Sequence, residues 1–199
     1  MHRATLKKAL RETAVLGFML VGILAARSTL ADHYYVPSGS MEPTLLPGDR
    51  VLVDKRAHGI RLPFTTRRLI DGESIERGEI VIFDSPHDGK RLIKRIVAVG
   101  GDAVVVRDGH LFINGESMAL TGDPLIEGFG ERLARLNLLH GGGPNYRRVI
   151  PPGMLLAVGD HRGRSFDGRM FGLIAETDVY GRALGVYYRR GDGLTWLTL

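Results

Sequence analysis

From residue 50 onward the chain repeats one pattern: a run of four to nine residues rich in Val, Ile and Leu, then a turn made of Gly, Pro or Asp. Runs of that length and composition are strands rather than helices. The expected strands are Arg50–Asp54, Glu79–Phe83, Arg91–Val99, Ala103–Arg107, His110–Ile113, Met154–Val158 and Tyr180–Tyr188. Between two of them stands Asp108-Gly109, a pair that tolerates the positive φ of a two-residue hairpin turn. One helix is expected near Glu131–Leu139, stopped by Gly141-Gly142-Gly143. The expected fold is mainly β, with a β-sheet domain drawn from residues 32–102 and 151–199 and a smaller inserted lobe over 103–150. A chain of 199 residues has no room for a second large domain.

The amino-terminal segment is of another kind. Ala14–Ala26 is unbroken apolar sequence, continuing through Arg27-Ser28-Thr29 to Leu30 and Ala31. As a helix, residues 14–31 would be about 27 Å long at ~1.5 Å per residue, close to the ~30 Å of a hydrocarbon core. Arg3, Lys7, Lys8 and Arg11 precede the run, and Arg27 alone lies near its far end. That asymmetry favours a cytoplasmic segment 1–13 and export of the remainder, and the motif that follows the segment, given below, favours a single-pass transmembrane anchor at 14–31. A cleavable signal peptide has similar features, with Thr29-Leu30-Ala31 as its small-x-small site. Length alone does not separate the two.

The net charge of +5 raises the question of nucleic acid, but +4 of it lies in residues 1–31. The rest is nearly balanced and has no basic stripe with interleaved aromatics, so no nucleic-acid partner is expected. With no cysteine, thiolate catalysis and cysteine metal sites are excluded. The histidines show no metal-ligand spacing, so neither a metal nor another cofactor is expected.

Shortly after the apolar segment, Pro37-Ser38-Gly39-Ser40-Met41-Glu42-Pro43-Thr44-Leu45 places two serines two residues apart. On an extended backbone both would face one side. A serine nucleophile needs a base, and no histidine lies in a triad setting. His140-Gly141-Gly142-Gly143 and Gly163-Arg164-Ser165-Phe166-Asp167 superficially suggest a lipase-type loop and nucleophile elbow, but the elbow lacks its last Gly and no histidine follows His161. Lysine is the other route. Residues 32–199 contain 19 arginines but only Lys55, Lys90 and Lys94, and arginine does not release its proton near neutrality. Lys55 and Lys90 sit in turn sequence. Lys94 lies in Arg91–Val99, where alternation sets it beside Leu92, Ile96 and Ala98. Desolvation on such a face lowers an ammonium pKa and suits a general base, whereas a lysine on an edge strand would simply reach out to water.

In sequence order, three blocks resemble the bacterial type I signal peptidases, membrane-bound Ser/Lys proteases. They are Pro37–Leu45 with Pro47-Gly48-Asp49, Leu92-Ile93-Lys94-Arg95 with Val99-Gly100-Gly101-Asp102, and Gly159–Gly172. The resemblance implies that Ser40 is the nucleophile, Lys94 its base, Ser38 an oxyanion donor beside the Ser40 N–H, and Ser165 the group that orients Lys94. It further implies that Asp160, Asp167 and Arg169 brace the site. The third block departs from the family's Gly-Asp-Asn-Arg-Asp-Asn-Ser at His161, Gly163 and Arg164, and His161 is expected to be an exposed loop residue, the alternative being a pH-sensitive neighbour of the site.

The implied activity is acyl transfer to water, removing signal peptides from exported preproteins at Ala-x-Ala-type sites. The substrate would bind as an added strand against an apolar wall of Val36, Pro37, Met41, Leu45, Leu92 and Ile93. The implied location is the bacterial plasma membrane, with the catalytic domain extracytoplasmic and membrane lipid as a further partner. Gly193–Leu199 would either touch that bilayer or form a packed terminal strand. Two alternatives are a related Ser/Lys peptidase with a specialised target, such as a conjugation-pilus processor, and an exported β-rich binding module.

Overall fold

The computed structural model describes residues 11–20, 31–61 and 68–199. Its strands are β1 (Ala31–Tyr35), β2 (Arg50–Asp54), β3 (Gly59–Arg61), β4 (Arg68–Asp71), β5 (Ile80–Asp84), β6 (Arg91–Ala98), β7 (Ala103–Arg107), β8 (His110–Ile113), β9 (Glu116–Ser117), β10 (Ala119–Leu120), β11 (Asp123–Phe129), β12 (Arg132–Arg135), β13 (Tyr146–Val149), β14 (Met154–Val158), β15 (Ile174–Ala175), β16 (Val179–Arg189) and β17 (Gly193–Thr198). The main sheet runs β1-β2-β16-β5-β6-β14-β15, with β17 also paired to β16. All of its pairings are antiparallel. Within 103–150 lie a four-stranded sheet, β13-β7-β8-β9, and a three-stranded sheet, β10-β11-β12.

The fold is mainly β, and the short apolar runs form strands because both faces of the main sheet are covered. On one face Val51, Val53, Ile80, Ile82, Ile93, Ala183 and Val186 pack with Val36, Met41 and Leu45. On the other, Val81, Phe83, Ile96, Leu155, Ala157 and Val179 close against Ile75 and Ile174. A third cluster joins Val97, Ala98, Leu156 and Val158 to the lobe residues Val104, Val106, Leu111, Ile113, Phe129 and Ala134. Strand β6 contributes to all three clusters, which explains its unbroken burial from Ile93 to Ala98.

The helix expected at Glu131–Leu139 is not formed. Residues Arg132–Arg135 are β12, paired antiparallel to β11, and Asn137 bridges to His161. Alternation explains the difference: Ala134 and Leu136 are buried while Leu133 and Arg135 are exposed, a period of two that serves a sheet and not a helix. Of the glycines that follow, Gly142 and Gly143 are packing contacts. A side chain on Gly142 would overlap the backbone of Asp108 and Gly109, and one on Gly163 the His140 and Gly141 carbonyl oxygens.

Of the anchor expected at 14–31, residues 14–20 and Ala31 are among those described. Residues 11–20 are helical, and Val15, Leu16, Phe18, Met19 and Leu20 are all more than half exposed. Residues 21–30 lie outside the described set, and Ala31 begins β1, paired with Asp54, rather than ending a helix. No described helix is long and apolar enough to cross a membrane. Gly193–Thr198 is the packed terminal strand β17, with Leu194 and Trp196 exposed.

Lobe and main sheet are also joined by charge. The Arg162 guanidinium donates to both Glu127 carboxylate oxygens and to the Gly109 carbonyl, and Glu127 also accepts from the Leu111 N–H at 2.9 Å. Both side chains are at most 1% exposed. Glu127→Ala would strand this guanidinium in the interior. It should lower the unfolding free energy by about 3–5 kcal/mol, read as a reduced denaturation midpoint in urea.

Candidate active site

Three segments converge at one end of β6. The first is the turn after β1. Ser38 is extended, and Gly39–Met41 is a single 3₁₀ turn, so Ser38 and Ser40 are not two positions of one strand. Burial is the reason: Met41 and Leu45 are both fully buried, and the chain must curl to seat them. Asp49 then staples the loop, accepting from the Leu46 N–H at 2.9 Å and from Arg189 at 3.0 and 2.6 Å. Despite the turn, the hydroxyls of Ser38 and Ser40 remain 3.5 Å apart.

Strand β6 supplies the second segment. Lys94 is 3% exposed, and its Nζ lies 2.6 Å from Ser40 Oγ. Burial draws its pKa from 10.5 down to about 8, against the opposing fields of Asp167 and Asp160. The other lysines are differently placed. Lys90 is exposed beside Asp88, whereas Lys55, expected in open solvent, is only 9% exposed between Asp32 and the Tyr180 ring.

The third segment is the loop after β14, and it is held by ion pairs. Asp160 receives Arg95 Nε at 2.9 Å, Arg95 Nη2 at 2.7 Å and the Thr44 hydroxyl at 2.6 Å. Asp167 receives Arg169 Nε and Nη2 at 2.9 and 2.8 Å and the Gly159 N–H at 3.0 Å. It also caps the one-turn helix Gly168–Phe171. Arg169 extends to the Gly142 and Arg162 carbonyls. Every one of these carboxylates and guanidiniums is buried. The geometry thus joins Asp160, Asp167 and Arg169 to Arg95, Thr44 and Gly159, three residues to which sequence reasoning assigned no role. Alternation along β6 carried a signal for Arg95, since a strand buried on both faces needs a partner for a charge next to Lys94.

Two expectations need correction. Ser165 Oγ is buried without a hydrogen-bond partner, so the orienting bond to Lys94 is not made here. His161 is 2% exposed, not an exposed loop residue. It packs beneath the nucleophile turn, with its backbone N–H donating to the Ser40 carbonyl at 3.2 Å. Of the anticipated substrate wall, Val36, Met41, Leu45 and Ile93 are core residues at 3% exposure or less, because the core beneath the turn consumes them. Pro37 is exposed and Leu92 half-buried, leaving these two of the set accessible to a ligand. No group of side chains suited to a metal ion occurs among the described residues.

A serine hydroxyl touching a desolvated amine is an arrangement able to serve as nucleophile and base, and hydrolysis through an acyl-enzyme is the chemistry such a pair permits. A model of the signal peptidase family, peptidase S26, matches residues 10–188. The chain belongs to that family. It is a serine peptidase. It is 32% identical over 195 residues to signal peptidase I of Pseudomonas fluorescens, covering 83% of this chain and 67% of that one. With signal peptidase I of Pseudomonas aeruginosa it shares 31% over 191 residues, at the same coverage. Thylakoidal processing peptidase 1 of Arabidopsis thaliana is 31% identical over 173 residues, 81% of this chain and 43% of that one. A crystal structure of a signal peptidase I from Enterococcus faecalis aligns at 30% identity and a TM-score of 0.42, over 55% of this chain and 97% of the other.

Two outcomes follow from the packing. A side chain on Gly159 would overlap Ser165 Oγ and the Ser40 carbonyl oxygen, so Gly159→Ala should displace the nucleophile turn and reduce turnover at least tenfold, checked with a peptide-cleavage assay. Lys94 titrates lower in the folded chain than unfolded, so the unfolded chain holds more protons between about pH 8 and 10.5 and stability rises with pH across that window. Below it the burial penalty is fully present. Lys94→Met should therefore raise the unfolding free energy at pH 7 by about 3 kcal/mol, from ~1.4 kcal/mol per pK unit, while removing activity.

Proposed function

We propose that this peptidase removes signal peptides from exported preproteins, cutting after Ala-x-Ala-type sequences with Ser40 as nucleophile and Lys94 as general base. The observation that carries the reading is the 2.6 Å approach of Lys94 Nζ to Ser40 Oγ at a buried amine. With the amine neutral, the Ser40 hydroxyl donates to Nζ. Proton transfer to Lys94 accompanies attack of Ser40 Oγ on the scissile carbonyl, and the Ser38 hydroxyl and Ser40 N–H receive the oxyanion. The C–N bond then breaks, Lys94 returns its proton to the leaving amine, and the signal peptide stays esterified to Ser40. A water, deprotonated by Lys94, releases it. Asp160 and Asp167 act through the backbone and the field they impose.

We further propose that the amino-terminal apolar segment anchors the enzyme in the plasma membrane, with residues 1–13 cytoplasmic and the β-sheet domain on the opposite side. Support comes from the helix at 11–20, whose exposed apolar side chains find a better solvent in lipid than in water. Ser40 follows β1 directly, so the nucleophile stays near the membrane face where a signal peptide ends. The substrate would lie extended across Pro37 and Leu92, with small side chains selected by the confined space at Ser40.

Ser40→Ala and Lys94→Ala should each abolish cleavage of an Ala-x-Ala preprotein in detergent, read by gel shift of precursor to mature protein. Normal cleavage by either variant would overturn the dyad. Because the base is neutral Lys94, kcat/KM should fall about tenfold per unit below pH ~7 and level off above about pH 9, with the midpoint at the Lys94 pKa of about 8.

A further inference from the structure

His161 is buried, and its ring addresses the turn that carries Ser40 directly. Its Nδ1 lies 3.2 Å from the Gly39 carbonyl oxygen and 3.5 Å from Glu42 Oε2, while its Nε2 lies 3.0 Å from His140 Nδ1. Both neighbours of Nδ1 are acceptors, so Nδ1 carries the hydrogen and Nε2 accepts from the His140 ring. The surroundings thereby assign the tautomer. The Gly39 carbonyl accepts a second bond, from the Glu42 N–H at 3.1 Å.

The Gly39 carbonyl and the Ser40 N–H belong to one peptide unit. Among the described residues the cis bond is Glu42-Pro43, so the Gly39–Ser40 unit is trans, and its C=O and N–H point in opposite directions. Fixing one end fixes the other. The Ser40 N–H meets no acceptor among the described residues, and the His161 N–H holds the next carbonyl, that of Ser40, at 3.2 Å. A donor on the carbonyl side also polarises the amide and strengthens its N–H as a donor. Resting on the reading of the Ser40 N–H as an oxyanion donor, we propose that His161 is a positioning residue for the oxyanion hole, orienting and polarising the Gly39–Ser40 peptide from behind, with His140 holding its tautomer.

The test compares His161→Ala and His161→Leu, which remove the ring donor, with His161→Asn, whose amide nitrogen can donate to the Gly39 carbonyl from the place of Nδ1. The expected result is a loss in kcat of about tenfold for Ala and Leu at unchanged KM, smaller than the roughly 10²-fold or greater effect of deleting an oxyanion donor outright. Asn should recover activity to within about threefold of the parent. The affinity of a peptide aldehyde, whose Ser40 adduct carries the oxyanion, should weaken by the same factor as kcat. Wild-type kcat in Ala or Leu, equal losses in Asn and Ala, or a loss confined to KM would each overturn the proposal. Melting temperatures identify any variant that fails to fold, and the Asn comparison then decides. Ser40→Ala separates the two levels: if it is inactive while the His161 variants are normal, only this inference fails, and if it cleaves, both fail.

Discussion

The desolvation of one ammonium group organises this molecule. Lys94 stands on a strand that serves three apolar clusters at once, and no arrangement of that strand returns its amine to bulk water. The penalty appears as a pKa near 8, which makes the neutral base accessible near physiological pH. The same packing that creates the penalty delivers Nζ to Ser40, since Met41 and Leu45 of the serine turn enter the core face that Ile93 helps to build. Stability and reactivity therefore oppose each other at a single side chain, as they do wherever a charge is buried for chemistry.

Around that amine four carboxylates are each held in a fork by an arginine: Asp160 by Arg95, Asp167 by Arg169, Glu127 by Arg162, and Asp49 by the partly exposed Arg189. Guanidinium suits this work because it stays charged and binds both carboxylate oxygens in plane. A buried pair adds little net stability but resists being half-broken, so each fork fixes a loop geometry: Asp49 for the serine turn, Asp160 and Asp167 for the loop after β14, and Glu127 for the attachment of the lobe. The lobe is thus coupled to the site through consecutive residues, since Arg162 grips Glu127 while its neighbour His161 supports the serine turn.

The seven strands named from the sequence were legible because alternation and β-branched composition report burial on a sheet directly, whereas β1, β3, β4, β9, β10, β11, β13 and β15 lack such a run. Arg132–Arg135 was not, because Gly141–Gly143 looked like a helix stop when its small size in fact admits the backbones of residues 108–109. Ser40 and Lys94 were singled out by the resemblance of their sequence blocks to a known family, residue chemistry supplying only a hydroxyl in a distinctive turn sequence and a scarce lysine in an apolar strand, and the fold brings the two to 2.6 Å. Gly159, Thr44 and the seating of His161 were hidden. Their roles depend on contacts across as many as 122 positions of chain, for which no local pattern exists. The wall residues Val36, Met41, Leu45 and Ile93 were misplaced for the converse reason, since apolar character suits a core and a binding groove equally.

By itself the sequence determined the fold class, the family blocks and the identity of the groups able to exchange a proton, because these follow from side-chain chemistry and short-range periodicity. Tertiary structure alone decided which of those groups meet, how dry the lysine is, that Ser165 stands without a partner, and that His161 faces the peptide bearing the nucleophile. Distance and solvent exclusion are properties of packed elements, and a turn of 3₁₀ helix that buries Met41, not an extended strand, sets the two serine hydroxyls 3.5 Å apart.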